Sequence, residues 1–478
     1  MGRTGRQSPE HVSRRTFLIA SSSGLVLASC SANDAVPERA PIHTVDSLTG
    51  TTPFYIAHRG SGDNWTEHTK VAYDSSRAAG ARAIEVSVHS TSDGVLVCHH
   101  DANLSRLTGV DKDIENMTYA ELAEFRVDAR QWLGPSAAPQ PIPKLSDVLD
   151  ACAATHVVFL EDKQGTNTKV LLDLMDTYPD STGHFVWKQD AGVKTFEDAQ
   201  ARGYKTWGYF VDGADKKFEK YAARHDFVGI YHLAADADIQ RLVGFGRPTI
   251  CWEVHTRSRR DSLLGLGVRG MMCPNIPYVM TDVPAATADT FATGLRAAGD
   301  LPSTLGWAFQ PLISPREATV TLADDVDQSY SLGSMCPIAG DEYSIEFQMC
   351  WPTRVPSSVQ AGLAFGLTSD SPYQPLEPGP AGYHLLLDDK GELRLYARRE
   401  SGATESLGVL RTAPPVPGSW ISLRISVESS RITFSRPDAE EAKVSVTTAE
   451  HRGGYFTLCK AYKGKVPISF RGIKVDSA

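Results

Sequence analysis

Two histidines and two glutamates in this sequence have types and spacing that could do chemistry together. His58, Glu85, His100 and Glu161 follow one another at intervals typical of successive strands. An imidazole takes or gives a proton near neutral pH, and carboxylates hold a divalent cation that neutralises phosphate charge. Arg59, next to His58, adds a guanidinium, a group that can donate hydrogen bonds to two phosphate oxygens at once. The set suits the cleavage of a phosphodiester.

These residues fall near the ends of short apolar runs that predict strands. From Phe54 to about Pro277 such runs alternate with helical stretches, which indicates β-α units and a parallel sheet. The predicted strands cover 54–58, 83–88, 95–99, 157–162, 185–188, 206–211, 227–231, 249–254 and 270–273. The predicted helices cover 69–79, 119–125, 145–153, 169–178, 194–202, 216–224 and 259–266. With 95–99 as a hairpin return beside 83–88, eight parallel strands remain, which predicts a (β/α)8 TIM barrel.

The strand ends of such a barrel carry its chemistry. Active-site residues of TIM barrels lie at the C-terminal ends of strands, where His58, Glu85 and Glu161 are expected. Side chains on one side of a strand repeat every two residues, so Ser87 points the same way as Glu85, and Lys163 the same way as Glu161. The alternative for Glu161 and Lys163 is a structural salt bridge, although exposed pairs contribute only about 0.2 to 1 kcal/mol.

The pattern closely resembles the glycerophosphodiester phosphodiesterase family. The signature of that family reads HRG, a Glu in a PENT-like element, E-x-D, HD and E-x-K. The matching positions are His58-Arg59-Gly60, Glu67, Glu85-Val86-Ser87, His100-Asp101 and Glu161-Asp162-Lys163. The resemblance implies acid–base roles for His58 and His100, and phosphate contacts for Arg59 and Lys163. It also implies that Glu85 and Glu161 bind Ca²⁺ or Mg²⁺, for which hard oxygen donors are suited.

Two further positions match the family in part. Glu67 takes the place of the PENT glutamate, so it is expected to contact the metal or the glycerol hydroxyls. A charge that favours the N-terminus of the following helix is an equal alternative. Trp252 matches the tryptophan of the W-T-V-N segment in the family and is expected to pack against glycerol. His89 and His99 are expected to be neighbours of the site with ordinary roles.

Three departures from the family pattern lie in or near the site. Ser87 replaces the second carboxylate of E-x-D, which removes one negative charge and leaves a weak ligand that acts directly or through water. Glu253 and His255 replace the threonine and asparagine of W-T-V-N, and Cys273-Pro274 replaces Thr-Asp. These changes indicate an unusual substrate or lost activity.

The first residues predict export and lipid anchoring. Ser13-Arg14-Arg15-Thr16-Phe17-Leu18 opens a short apolar stretch, which is typical of a twin-arginine signal. It ends in Leu27-Ala28-Ser29-Cys30, which resembles the lipobox of bacterial lipoproteins, with Cys30 as the lipidated residue. The alternative is a cleaved signal with a chance cysteine. We expect a protein on the outer face of the cytoplasmic membrane, or a secreted one.

A chain of this length predicts two domains, because one core seldom organises so many residues. We place the signal at 1–30, a tether at 31–50, the barrel at 51–290, a linker at 291–317 and a second domain at 318–478. A helix is expected around 285–298, within the junction. A net charge of −9 gives no basic surface for nucleic acid.

The second domain follows a period of two. Apolar and polar residues alternate over 343–349, 392–395 and 421–427, which predicts an antiparallel, jelly-roll-like β-sandwich. Its last strands loosely resemble lectin-like domains of the concanavalin type. Glycan binding is therefore an option, and the candidate aromatics are Trp351, Tyr373, Tyr383, Tyr396 and Tyr462.

The sequence therefore predicts a metal-assisted hydrolase with two catalytic histidines that releases glycerol phosphate from glycerophosphodiesters. The substrates would be deacylated phospholipids or glycerol-phosphate polymers. One alternative is a catalytically degenerate barrel that serves as a surface binding protein. Another is a phospholipase D-like lyase, which would leave a cyclic phosphate.

Overall fold

The computed structural model describes residues 41–211, 218–301, 310–338, 342–439 and 442–477. The predicted signal, with its twin-arginine pattern and Cys30, lies outside these residues. Within these ranges, none of the helices combines the length and the apolar character needed to cross a bilayer.

Eight parallel strands close into a barrel. They are β1 (Phe54–Ala57), β2 (Ala83–Ser90), β6 (Val157–Asp162), β7 (Phe185–Asp190), β8 (Lys205–Phe210), β9 (Phe227–Tyr231), β10 (Thr249–Trp252) and β11 (Gly270–Cys273). β1 pairs with both β11 and β2, which closes the ring. This arrangement confirms the predicted TIM barrel.

The barrel interior has an apolar floor and a polar mouth. The inward side chains near the strand starts form one apolar cluster, which includes Phe54, Ile56, Ala83, Val157, Phe159, Val186, Trp207, Phe227, Ile250 and Met272. Residues of α1 (Val45–Thr49), at the end of the predicted tether, join this cluster and cover the floor. Two places after Ala83, Phe159 and Val186, on the same side of each strand, come Glu85, Glu161 and Lys188.

Helices surround the barrel. They are α2 (Lys70–Ala78), α6 (Leu145–Cys152), α7 (Thr168–Met175), α8 (Ser181–His184), α9 (Phe196–Ala201), α10 (Phe218–Tyr221), α11 (Asp236–Val243), α12 (Arg257–Gly265) and α13 (Ile276–Val279). Their buried faces meet outward strand residues such as Val86 and Leu160 in an outer core. The predicted helices agree in place with those observed, whereas α8, α11 and α13 are absent from the predicted set.

An insertion between β2 and β6 lies beside the barrel mouth. It contains β3 (Leu96–Cys98), α3 (Ser105–Thr108), α4 (Tyr119–Leu122), β4 (Arg126–Val127), α5 (Arg130–Leu133) and β5 (Gln140–Pro141). β3 returns antiparallel to β2, as predicted. The insertion has its own small core around Leu104, Ile114 and Leu122. It therefore forms a stable support for His100, which follows β3.

The C-terminal region consists of two antiparallel sheets. One contains β12 (Asp300–Leu301), β15 (Gln328–Leu332), β24 (Tyr455–Lys460), β17 (Gln360–Leu367), β18 (Gly382–Asp388), β19 (Glu392–Arg398) and β20 (Thr404–Arg411). The other contains β13 (Leu312–Ser314), β14 (Thr319–Leu322), β25 (Ile468–Ser477), β16 (Tyr343–Cys350), β21 (Ile421–Glu428), β22 (Arg431–Ser435) and β23 (Lys443–Thr447). Phe347 of β16 and Leu363 of β17 share one core, as the predicted sandwich requires.

Two expectations for the second half of the chain are corrected. The helix predicted around 285–298 is wrong, because 291–293 form a single 3-10 turn that ends at Gly294 with a φ of 71°. Of the aromatics proposed for glycan binding, Trp351, Tyr373, Tyr383 and Tyr462 are buried. Tyr396 is half-buried and accepts a hydrogen bond from Gln360. The alternating pattern placed these rings in strands without showing that they serve the core, so they offer no exposed stacking platform.

A buried polar contact joins the sandwich to the barrel. Asp370, after β17, accepts hydrogen bonds from the backbone N–H groups of Arg257 (2.7 Å) and Ser258 (3.0 Å), at the N-terminus of α12. It also accepts one from the Tyr278 hydroxyl (2.7 Å). A carboxylate in this place satisfies unpaired helix N–H groups and complements the helix dipole. Asp370 therefore ties α12 and α13 to the sandwich.

Replacing Asp370 with asparagine should destabilise the protein, because the amide carries no charge and accepts fewer bonds. We expect Asp370→Asn to lower the free energy of unfolding by about 1 to 3 kcal/mol. Urea denaturation followed by tryptophan fluorescence would measure it. Asp198→Asn is a matched control, because Asp198 also lies in the first turn of a helix, α9, but is exposed. Equal effects of the two variants would contradict the role of Asp370.

Candidate active site

His58 and Arg59 lie where the chain leaves β1. Arg59 has a φ of 53°, and Gly60 has a φ of 76° with its Cα packed against α2, where an added Cβ would lie 2.8 Å from the Cβ of Ala72. Glycine is therefore required to turn the chain here. The Arg59 backbone N–H donates to Glu85 Oε2 (2.9 Å), which fixes the turn to the barrel wall.

The His58 imidazole faces an acidic partner that sequence reasoning did not assign. Its Nδ1 lies 3.6 Å from Glu253 Oε1, just beyond β10. Burial and then Arg59 lower the pKa of His58, Glu253 opposes both effects, and the resulting pKa is about 4. His58 is therefore neutral at pH 7 and able to accept a proton. The sequence shows that Glu253 replaces a threonine of the family pattern, but it does not show that this carboxylate lies beside His58.

His100 has a similar arrangement on the other side of the site. Its Nδ1 donates to Asp101 Oδ1 (2.8 Å). Burial lowers the pKa of His100, whereas the hydrogen bond to Asp101 raises it, and the net shift is downward. His89 donates to the carbonyl of His100 (3.1 Å), and His99 donates to that of Asp101 (2.7 Å). The two neighbouring histidines thus hold the backbone of this loop.

Glu67 is bound by two arginines, Arg59 and Arg106. Its buried carboxylate accepts hydrogen bonds from Arg59 Nη1 (3.1 Å) and from Arg106 Nη1 (3.0 Å) and Nη2 (2.6 Å). Burial alone would raise the pKa of Glu67, but Arg59 and Arg106 hold it well below its usual range. Arg106 also donates to Asp101 Oδ2 (2.6 Å), and Asp101 in turn binds His100. Glu67 therefore positions both arginines.

A closed cluster of charges lies at the mouth of the barrel, on the side chains of β2, β6 and β7. Lys188 Nζ donates to Glu85 Oε1 (2.9 Å) and to Glu161 Oε2. Glu161 Oε1 accepts hydrogen bonds from Lys163 (2.9 Å) and from the Tyr209 hydroxyl (2.8 Å). Together with the Arg59 N–H on Glu85 Oε2, these bonds occupy all four carboxylate oxygens. The structure thus brings Glu85, Glu161 and Lys163 together but adds Lys188, which was not predicted.

The opposite charges of the cluster keep one another ionised despite their burial. Burial alone would lower the pKa of Lys188, but Glu161 and Glu85 raise it above its ordinary value. Burial would raise the pKa of Glu161, but Lys188 and Lys163 lower it to about 2. Both glutamates are therefore ionised at pH 7, and Lys188 is protonated.

These side chains do not fit a divalent cation. The predicted ligands were Glu85, Glu161 and Ser87, but an ammonium lies between the two glutamates, and the Ser87 hydroxyl donates to Glu85 Oε1 (3.0 Å). Calcium takes about six to eight oxygen ligands, and magnesium demands near-octahedral geometry. In the described part of the chain, no group of three or more His, Cys, Asp or Glu side chains is arranged to hold a metal ion.

A cavity of about 330 Å³ opens at the barrel mouth. Both histidines line it, together with Arg59, Glu67, Asp101, Arg106, Trp132, Glu253 and His255. Trp252 instead packs edge to face with Tyr209, at 5.4 Å between ring centres, and with Trp207, at 6.1 Å. The arrangement places two proton carriers and two guanidinium groups around one space, which suits a phosphodiester.

An ion pair between His255 and Asp63 lies beside Glu253, the partner of His58. His255 Nδ1 donates to Asp63 Oδ2 (2.7 Å), and its Nε2 lies 3.9 Å from Glu253 Oε2. Burial alone would lower the pKa of His255, but Asp63 and Glu253 raise it to about 10. His255 therefore stays cationic at pH 7 and holds Glu253 in place beside His58. The sequence carries one signal for this arrangement. Glu253 replaces the threonine of the W-T-V-N segment, and His255, two residues later, replaces its asparagine.

Comparisons with known proteins show what this chain is similar to. Residues 58–276 match the Glycerophosphoryl diester phosphodiesterase family. The Bacillus subtilis (strain 168) protein named "Putative glycerophosphodiester phosphodiesterase YhdW" is 34% identical over 247 residues, which cover 48% of this chain and 97% of that protein. An Arabidopsis thaliana protein, "Glycerophosphodiester phosphodiesterase GDPD6", is 39% identical over 88 residues, which cover 18% of this chain and 24% of that protein. A Bacillus altitudinis "Glycerophosphodiester phosphodiesterase" is 36% identical over 95 residues, which cover 20% of this chain and 38% of that protein.

His255 should remain protonated well above pH 7. Because its folded pKa of about 10 exceeds the ordinary 6.5, its contribution to stability is complete below about pH 6.5 and is lost as pH rises through about 10. Nuclear magnetic resonance of ¹⁵N-histidine-labelled protein would follow its titration. Asp63→Asn should bring the pKa of His255 down, whereas Asp101→Asn should affect His100 and leave His255 unchanged. A wild-type His255 that titrates near 6.5 would refute this electrostatic description.

Proposed function

Since the chain belongs to the glycerophosphoryl diester phosphodiesterase family, we propose that it hydrolyses glycerophosphodiesters to glycerol phosphate and an alcohol. The substrates would be deacylated phospholipids or glycerol-phosphate polymers. One observation carries the proposal: His58 and His100 line the same cavity, and each has a carboxylate near Nδ1. An imidazole held in this way presents Nε2 for proton transfer.

The first half of the reaction uses His58 as the base. The neutral imidazole takes the proton of the glycerol hydroxyl of the substrate, and the hydroxyl oxygen attacks phosphorus. Glu253 stabilises the imidazolium that forms. As the new P–O bond forms, the bond to the leaving alcohol breaks, and His100, which enters the cycle in its protonated form beside Asp101, gives that alcohol the proton of Nε2. The products of this half are a cyclic phosphate and a free alcohol.

The second half exchanges the two roles. His100, now neutral, takes a proton from water, whose oxygen attacks phosphorus. One P–O bond of the ring breaks, and His58 returns its proton to the released glycerol oxygen. Asp101 stabilises the protonated form of His100 in each cycle, as the carboxylate of a catalytic triad does for its histidine. Release of the cyclic phosphate before this half would make the protein a lyase.

Negative charge on the phosphoryl oxygens is met by side chains of this protein. Arg59 and Arg106 line the cavity, and both are held by Glu67. Lys163 is anchored on Glu161 at the barrel mouth. Fixed cations in a partly buried site stabilise a charged transition state because they need little reorganisation.

We also propose that the protein acts outside the cytoplasmic membrane, anchored by lipid on Cys30. The support is the twin-arginine pattern over Ser13–Leu18 and the lipobox that ends at Cys30. Phospholipid headgroups and wall polymers would both be within reach there.

Removal of either catalytic imidazole should abolish turnover. His58→Ala and His100→Ala are each expected to lower kcat/KM by about 100- to 10,000-fold, the usual contribution of acid–base groups. The assay would offer glycerophosphocholine, glycerophosphoethanolamine and a glycerol-phosphate polymer, and would measure glycerol phosphate and cyclic phosphate separately. Cyclic phosphate as the final product would identify the lyase alternative.

The matched control for these variants is His156→Ala, because His156 directly precedes β6 at the opposite end of the barrel. It should retain wild-type turnover. Normal turnover in either catalytic variant would refute the assignment. A folded protein inactive on every substrate would favour the binding-protein alternative.

Lipidation of Cys30 predicts a change in partitioning. In the native host, the protein should enter the detergent phase of a Triton X-114 separation, and Cys30→Ser should move it to the aqueous phase, because a lipid-free chain has no anchor. Mass spectrometry of the N-terminal peptide would identify the modification. An aqueous wild-type protein would point to the cleaved, secreted form.

A further inference from the structure

Lys188 occupies the place where the family pattern leads one to expect a cation. It projects from β7 into the barrel mouth, two residues after Val186 of the apolar floor, so the strand alternation fixes its inward direction. Its ammonium bridges Glu85 and Glu161, the two carboxylates that were predicted to hold a metal. All three residues are buried.

The net charge around Lys188 can be compared with the net charge that the family pattern implies for the same position. The E-x-D and E-x-K elements of the family bring three carboxylates, and a divalent cation among them leaves one net negative charge. Here Ser87 removes one carboxylate, and the single charge of Lys188 beside Glu85 and Glu161 again leaves one net negative charge when the lysine of E-x-K, Lys163, is left out of both counts. The loss at position 87 and the lysine at position 188 therefore compensate each other. Three carboxylates beside a single ammonium would leave two net negative charges, which are costly to bury.

The bonding at Lys188 supports this exchange. The Ser87 hydroxyl, the residue left by the lost carboxylate, donates to the same Glu85 oxygen that accepts from Lys188. Tyr209 donates to Glu161, and its ring also lies 5.6 Å from Lys188 Nζ. A divalent cation would have to displace an ammonium that is already held by two carboxylates and faced by an aromatic ring.

We propose that the Lys188 ammonium takes the place of the divalent cation in this barrel, so that the site works without metal. The proposal rests on the proposed phosphodiesterase function and specifies its chemistry. Lys188 is a positioning residue: it holds Glu85, which binds the Arg59 N–H, and Glu161, which binds Lys163. It thereby fixes the turn that carries Arg59 and the ammonium of Lys163, and it supplies the positive charge that a metal would otherwise provide.

Calorimetric titration with CaCl2 and MgCl2 tests the proposal directly and needs no substrate. The wild-type protein should bind neither ion, and its melting temperature should be the same in EDTA and in millimolar Ca²⁺. The double variant S87D/K188S restores a third carboxylate and removes the ammonium. It should bind Ca²⁺ and melt at a higher temperature when Ca²⁺ is present, because ligand binding stabilises the folded state.

Turnover gives the second readout. Wild-type kcat/KM should agree within about twofold in EDTA, Ca²⁺ and Mg²⁺, while Lys188→Met should lose about 100-fold or more, as expected when preorganised charge is removed. Lys205→Met is the control, because Lys205 is exposed at the start of β8, far from the mouth. The lost activity of Lys188→Met should not return with Ca²⁺, because Ser87 still lacks a carboxylate.

The outcomes separate the two proposals. Micromolar Ca²⁺ binding by the wild type, or wild-type turnover that EDTA stops and Ca²⁺ restores, would overturn the lysine proposal while leaving the phosphodiesterase function intact. Failure of the folded double variant to bind Ca²⁺ would also overturn it, because the position would then not be a cation site. If the double variant does not fold, the wild-type titration alone decides. If no turnover is found under any condition but the calorimetry gives the expected result, the phosphodiesterase function is refuted. The replacement of the divalent cation by Lys188 is then still supported.

Discussion

Compensation of buried charge is the constraint on which this site depends. Glu67, Glu85 and Glu161 are almost fully removed from water, and an unpaired carboxylate in such surroundings costs several kcal/mol. Each therefore has at least one cationic partner within hydrogen-bonding distance. The apolar floor below them makes the requirement stricter, since it excludes water from one side of the cluster. The positions of the arginines and lysines at the mouth follow from this need.

The same pairing orients the proton carriers. Glu85 binds the N–H of Arg59 and so fixes the turn on which His58 stands. Glu67 reaches His100 through Arg106 and Asp101. The two histidines thus come from different segments, one from the turn after β1 and one from the insertion, yet both are held by one connected set of charges. A change in any member should therefore disturb both imidazoles.

Much of the barrel could be predicted from sequence because its strands are short apolar runs, which parallel strands with both faces buried require. The inward direction of Glu85 and Glu161 followed from the period of two. The partners of Glu67 could not be predicted, because Arg106 lies in an insertion whose path is set by its own small core. The same period of two points Lys188 inward, but β7 carries no family motif that would mark this lysine as part of the site. The buried aromatics of the sandwich show the opposite error, since alternation reports which residues share a face but not which face is solvent-exposed.

An ammonium in place of a divalent cation changes how the site can act. A lysine supplies one charge instead of two and has no open coordination positions, so it cannot bind a phosphoryl oxygen and activate water at once as a metal does. The missing stabilisation must come from other fixed cations, and Arg59 and Arg106 line the cavity where it is needed. Proton transfer must then rest wholly on the imidazoles. The carboxylates beside His58 and His100, one of them introduced by Glu253, are what such a site needs in order to stabilise each imidazolium without a metal nearby.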